Sequence, residues 1–141
     1  TPDGKSEKEF REKLRRDYGP ECYAKFLEPD IKKALKKGDV VLDGLYSWYE
    51  YKYLIERFPE LKLVCIVVDK ALRYERVNNR IDRPFNREDI MYRDVSEIEN
   101  LAKGGPIAYS DYFLFNNGSL DDYHKRLLEI LDDINKHEGV K

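Results

Sequence analysis

Leu61-Lys62-Leu63-Val64-Cys65-Ile66-Val67-Val68-Asp69 is the stretch on which the fold turns. Six consecutive apolar residues, Leu63 to Val68, include three Val and one Ile and stop at an acid. An unbroken, β-branched run of this length is the pattern of a strand covered on both faces, as in a parallel sheet. It is far shorter than a membrane span. Downstream, residues 70–80 read as a helix. Upstream, residues 47–58 read as another, ended by Pro59. Further upstream, Asp39-Val40-Val41-Leu42-Asp43 is a second apolar run ending in an acid and Gly44, which predicts a parallel strand over 40–43. Tyr112-Phe113-Leu114-Phe115 predicts a third, with Asn116-Asn117-Gly118 as its turn.

The remaining segments carry a helical period. Residues 6–37 place Phe10, Leu14, Tyr18, Tyr23, Phe26, Leu27, Ile31 and Leu35 at spacings of three and four, broken at Gly19-Pro20. Ser6 and Glu9 fit a capping box, and the Lys-rich end before Gly38 fits a helix stop. The segment up to Asp94 is charged, residues 95–103 read as helix, and Gly104-Gly105-Pro106 reads as a loop. Ser119 caps a last helix whose buried face is Leu120, Tyr123, Leu127, Leu128, Ile130, Leu131 and Ile134. The order α-α-β-α-β-α-α-β-α predicts one α/β domain over residues 1–141. Its parallel sheet contains 40–43, 62–68 and 112–115, with helices on both faces.

Composition narrows the function classes. The 141 residues carry 26 Lys+Arg against 28 Asp+Glu, a formal charge of −2. Nothing in that balance attracts a polyanion, so neither nucleic acid nor a membrane surface is an expected partner. Cys22 and Cys65 form no disulfide framework, and Cys65 reads as a small buried hydrophobe. With only His124 and His137 beside them, a structural zinc site is not expected. The expectation is a cytoplasmic protein.

Three strand ends, at Asp43-Gly44, Asp69 and Asn116-Asn117-Gly118, fall on one edge of the expected sheet, where open parallel sheets bind ligands. Beside them Arg73, Arg76, Arg80, Arg83 and Arg87 are spaced 3, 4, 3 and 4, a cationic stripe on a helix, broken by Pro84. Arginine forks grip phosphate oxygens two at a time. The alternative is a solvated face paired with Glu75, Asp82, Glu88 and Asp89.

These stretches resemble a known family. Val40-Val41-Leu42-Asp43-Gly44 is similar to the third-strand motif of P-loop nucleotide kinases, and Arg73-Tyr74-Glu75-Arg76-Val77-Asn78-Asn79-Arg80 to the helix leading into their lid. Asp111 to Ser119 is similar to their last strand and base-contacting loop. Leu14-Arg15-Arg16-Asp17-Tyr18-Gly19-Pro20 fits a helix break on their acceptor side. Dephospho-coenzyme A kinases and related adenylate-kinase-like proteins are the nearest resemblance, over about residues 8–134. The resemblance implies ATP-dependent phosphoryl transfer, with Mg²⁺ and ATP as cofactors and a small nucleotide-like or coenzyme acceptor. It implies Asp43 ordering Mg²⁺ through water or orienting the acceptor hydroxyl, and Arg76 and Arg80 clamping phosphates. Arg73 joins that phosphate set, Arg83 and Arg87 close from a lid over 81–103, and Asn116, Asn117 and Gly118 line an adenine pocket through backbone groups.

Two departures stand out. These kinases open with a strand, a glycine-rich phosphate loop and a helix, and the chain carries no such stretch; Gly4-Lys5-Ser6 follows no strand. The chain is either the later part of a longer protein or a relative without the loop. An N-terminal segment or a partner chain would then supply the neighbouring strand, and the chain alone is expected to be inactive. Second, the family often carries an Arg shortly after the Asp-Gly. Here Leu45-Tyr46-Ser47-Trp48-Tyr49 follows, and Tyr46, Trp48 and Tyr49 either stack on a ligand ring on the acceptor side or pack their helix onto the sheet. Two other functions fit the same residues: a non-catalytic nucleotide- or phosphate-binding module, and an interaction protein using the Tyr/Trp-rich helix.

Overall fold

The computed structural model describes residues 4–82 and 85–138. Helices α1 (Gly4–Tyr18), α2 (Cys22–Leu35) and α3 (Trp48–Arg57) precede strand β1 (Val64–Val67) and helix α4 (Lys70–Asn78). Then come α5 (Arg87–Leu101), α6 (Gly104–Ala108), strand β2 (Tyr112–Phe115) and α7 (Leu120–Glu138). The chain divides into two compact units, Thr1–Leu61 with Glu97–Pro106, and Lys62–Ser96 with Ile107–Lys141.

The first unit is helical. Gly19, at φ +99, sits between α1 and α2, where the left-handed backbone suits glycine. Ser47 caps α3, its hydroxyl accepting from Glu50 N–H at 3.3 Å. α2 packs on α3 and α1 on α2. Ala24, Ile31 and Leu54 form the core, with Leu42, Leu45, Tyr53, Phe58 and Leu61 against it. Each such buried aliphatic side chain contributes roughly 1.5–3 kcal/mol relative to exposure.

The second unit holds the sheet. β1 and β2 pair in parallel, Val64 opposite Tyr112 through Val67 opposite Phe115. α7 packs on β2. Leu114 and Ile130 are fully buried, and the Tyr112 hydroxyl donates to Asp133 Oδ2 at 2.6 Å. Asp111 Oδ2 accepts from Leu63 N–H at 2.8 Å, fixing the strands' starts.

Several expectations change. Residues 40–43 form no strand, and among the described residues the sheet has only β1 and β2. A strand needs a hydrogen-bonding neighbour; here Val41 is 91% exposed while Leu42 turns into the helical core. An apolar run of four signals burial, and here a helical layer supplies it. α5 begins at Arg87, not at 95, because Asn86 Oδ1 accepts from Asp89 N–H at 2.8 Å and Glu88 and Asp89 suit the first turn's dipole. Gly104-Gly105-Pro106 opens a short helix, which tolerates Pro in its first turn. Ser6 lies inside α1 and does not cap it. Cys65 is half-buried on the two-stranded sheet, not enclosed. On α7, Leu120, Leu128 and Leu131 are exposed, leaving the narrower stripe Tyr123, Leu127, Ile130 and Ile134.

Candidate functional site

The second unit gathers a strand-end edge. β1 stops at Val67 and Asp69 occupies the N-cap position of α4 without a side-chain capping bond, so two residues separate the strand from the arginine helix. β2 stops at Phe115, and residues 116–118 lead into α7, whose Ser119 hydroxyl accepts from Asp122 N–H at 3.1 Å. Asn117 Oδ1 accepts from Asp69 N–H at 2.8 Å, tying the two strand ends together. Arg76 adds a second tie: its guanidinium donates to the carbonyl of Asn116 at 2.5 Å and to that of Gly118 at 3.5 Å.

The arginines divide by partner. Arg73 makes a bidentate pair with Asp94, at 2.9 and 2.6 Å, and Tyr74 donates to the same carboxylate at 3.0 Å. The Asp94 bond raises the Arg73 pKa, and burial together with Asp94 raises that of Tyr74. Arg76 holds the 116–118 loop. Arg80, expected on the helix, lies beyond α4, which ends at Asn78; it is exposed, and its side chain has no partner among the described residues. Arg83 lies outside the described residues. Arg87 opens α5 and is exposed. The expected stripe is therefore partly structural: two of its members neutralise or bind groups of their own fold.

Asp43 belongs to the first unit, exposed in the loop between α2 and α3, just before Gly44 at φ +88. Of the acceptor-side aromatics, Trp48 stacks on buried Tyr51 at 5.5 Å and meets the backbone of Gly105 so closely that a Cβ there would lie 2.7 Å from the indole. Its ring is committed to packing. Tyr46 and Tyr49 remain partly exposed, Tyr46 with Lys103 Nζ 4.9 Å from its ring centre. Tyr53 donates to Glu28 and carries the Arg57 guanidinium 3.4 Å from its ring centre, so α3 is bound to α2 by a polar cluster as well as by its core.

The chain is 33% identical over 127 residues to the UPF0200 protein of Thermococcus kodakarensis, covering 86% of this chain and 68% of that protein. It belongs to the UPF0200 family. The UPF0200 protein of Thermococcus gammatolerans matches at 33% over 127 residues, covering 86% of this chain and 66% of its own length. That of Methanocaldococcus jannaschii matches at 32% over 128 residues, with 86% and 62% covered. The chain thus spans about two thirds of the length of the UPF0200 relatives it matches. No family model matches the chain.

In this UPF0200 chain the residues that sequence reading missed are mostly tethers. Asp94, Asn86 and Gly105 lie in the charged and loop segments, where composition alone reads as solvated surface. The Ser47 cap of α3 was not read either, although Ser47 and Glu50 carry the spacing of a capping box. Among the described residues no group of three or more His, Cys, Asp or Glu side chains could hold a metal, and no helix is long and apolar enough to cross a membrane.

Proposed function

We propose that this UPF0200 chain is part of a P-loop-kinase-like domain, with a larger parallel sheet covered by helices on both faces. On this reading the full-length protein is a cytoplasmic ATP-dependent phosphotransferase acting on a small nucleotide-like or coenzyme acceptor such as dephospho-coenzyme A. One observation carries the reading: both strand ends, the arginine helix α4 and the 116–118 loop are joined at one edge of a parallel strand pair by the Asp69–Asn117 and Arg76–Asn116 bonds. Ligands of open parallel sheets bind outside that edge.

In this reading Arg80, two residues beyond the end of α4, grips phosphate, while Arg76 holds the adenine-lining loop in shape. Phosphoryl transfer asks mainly for positioning and charge neutralisation, which these groups supply. Mg²⁺ keeps several waters and is held by one or two carboxylates with the substrate's own phosphates, so a single exposed acid such as Asp43 suits it and a protein cage is not needed. The cradle for the donor triphosphate comes from the part of the family's length that this chain does not span. A second reading, a nucleotide-binding module without turnover, is favoured by the internal partners of Arg73 and Arg76.

The test is ADP formation by the full-length protein with ATP and either dephospho-coenzyme A or nucleoside monophosphates. Acceptor-dependent ADP is expected, reduced at least tenfold in Arg80→Ala and in Asp43→Asn, as for loss of one charge-assisted contact. The 141-residue chain alone is expected to show negligible turnover. No acceptor-dependent ADP from the full-length protein would leave the binding-module reading; turnover by this chain alone, above an Asp43→Ala control, would overturn the assigned need for a cradle.

A further inference from the structure

A cavity of about 580 Å³ lies against α4 and is lined by Lys70, Ala71, Tyr74, Glu75, Asn78 and Arg87. At about 100° per residue, the five α4 positions centre roughly 170° around the helix from Arg76. The cavity is therefore on the far side of α4 from the arginine that holds the 116–118 loop. It is an open hollow, with every lining residue but Tyr74 exposed, and its volume is larger than a lone inorganic anion fills.

Its chemistry is divided. Lys70 and Arg87 are exposed and have no carboxylate partner among the described residues. Two cations on one concave surface outnumber its single carboxylate, Glu75, and a lysine and an arginine together suit phosphate. Tyr74 lines the same surface, fixed at its hydroxyl by Asp94, with Lys70 Nζ 5.4 Å and the Arg73 guanidinium 5.1 Å from its ring centre. A ring held at its far end is a prepaid contact surface for a flat or sugar-like group. The Asn78 amide and the Glu75 carboxylate add a donor–acceptor pair and an acceptor, suited to hydroxyl and exocyclic amino groups.

We propose that this cavity is a binding site for a nucleoside phosphate, its phosphates on Lys70 and Arg87 and its nucleoside against Tyr74, Asn78 and Glu75. The site is separate from the strand-end edge and does not depend on phosphoryl transfer there. Arg87 serves this site in place of a lid.

The test is calorimetric titration of the 141-residue chain with ADP, inorganic pyrophosphate and adenosine, with amide and methyl resonances followed in parallel. ADP is expected to bind more tightly than pyrophosphate or adenosine and to shift the Ala71 methyl and the Asn78 side-chain amide. Lys70→Ala and Arg87→Ala each weaken ADP by about tenfold, the scale of one charge-assisted contact. Lys125→Ala, an exposed cation of α7 outside the cavity lining, leaves the affinity unchanged. Binding indifferent to Lys70→Ala and Arg87→Ala, or lost in Lys125→Ala, overturns the site; equal affinity for pyrophosphate and ADP overturns its nucleoside part. Absence of kinase turnover in the full-length protein bears only on the strand-end reading, since here the readout is binding on the other face of α4.

Discussion

Gly105 shows how one residue's missing side chain can decide a local packing. A Cβ at this position would lie 2.7 Å from Trp48 Cδ2 and Cε3, well inside contact distance, and the indole is itself stacked on Tyr51 and cannot simply swing away. Gly105→Ala is expected to destabilise the protein by about 1–3 kcal/mol, the usual cost of overpacking. Urea unfolding followed by the fluorescence of the single Trp checks this; an unchanged midpoint would show that the indole has room to shift. Nothing in Gly104-Gly105-Pro106 distinguishes this glycine from an ordinary loop glycine, because the contact comes from Trp48, far away in the chain. Trp48 was legible only as a pair of alternatives, ligand stacking or packing, and in the structure its ring packs on Tyr51 and Gly105.

At the scale of the element, α3 is set by both ends of its first turn. Ser47 is buried and caps the helix, and Glu50 three residues on completes the spacing of a capping box, yet Glu50 Oε1 is buried without a hydrogen-bond partner among the described residues. Arg15 Nε of α1 is likewise buried and unpartnered. Burial raises the Glu50 pKa, with the Arg15 charge pulling the other way. The folded protein therefore holds this proton more tightly than the unfolded chain. Its contribution to stability is full below the ordinary glutamate range near about 4.3 and is lost as pH rises through the raised folded value. Glu50→Gln removes the titration, so the stability of the variant is expected to gain on that of the wild type as pH rises from acid to neutral. Urea midpoints of both proteins across that window check it; a difference that stays constant with pH would mean that Glu50 ionises as freely as in the unfolded chain. The faces of such helices are legible by period, but which buried polar group lacks a partner depends on the neighbouring helix.

For the molecule as a whole, the open matter is the sheet. Tyr112 N–H donates to Leu63 and Asn116 N–H to Val67, so alternate groups of β2 and β1 face each other and the rest face outward. The outward set includes the N–H groups of Val64 and Ile66 on one edge and of Phe113 and Phe115 on the other. Ile66 is 56% and Phe115 66% exposed, unusual for large apolar side chains in a sheet. Hydrogen exchange is expected to be faster at these four amides than at Cys65, Val67 and Leu114, whose groups face the partner strand. Equal protection across both sets would mean that further chain covers the edges. In the full-length protein the β1 amides are expected to slow if a further strand pairs there, which the same measurement reads directly.

The sequence alone determined the helix breaks at Gly19-Pro20, the positions of β1 and β2 and the capped start of α7, because these depend on residues next to one another: a β-branched run, a turn residue, a hydroxyl one position before a helix. It also placed β1 and β2 in parallel, since helices too long for a hairpin separate them. It could not determine the state of 40–43, whose apolar pattern is satisfied equally by a neighbouring strand or by a helical layer. Nor could it separate Arg73 from Arg76, two arginines of α4 alike in charge. Asp94 takes Arg73, two loop carbonyls take Arg76 and a cavity on the other face takes Lys70 and Arg87, because a charge finds its partner through space, and only the folded backbone says which acceptor lies within reach.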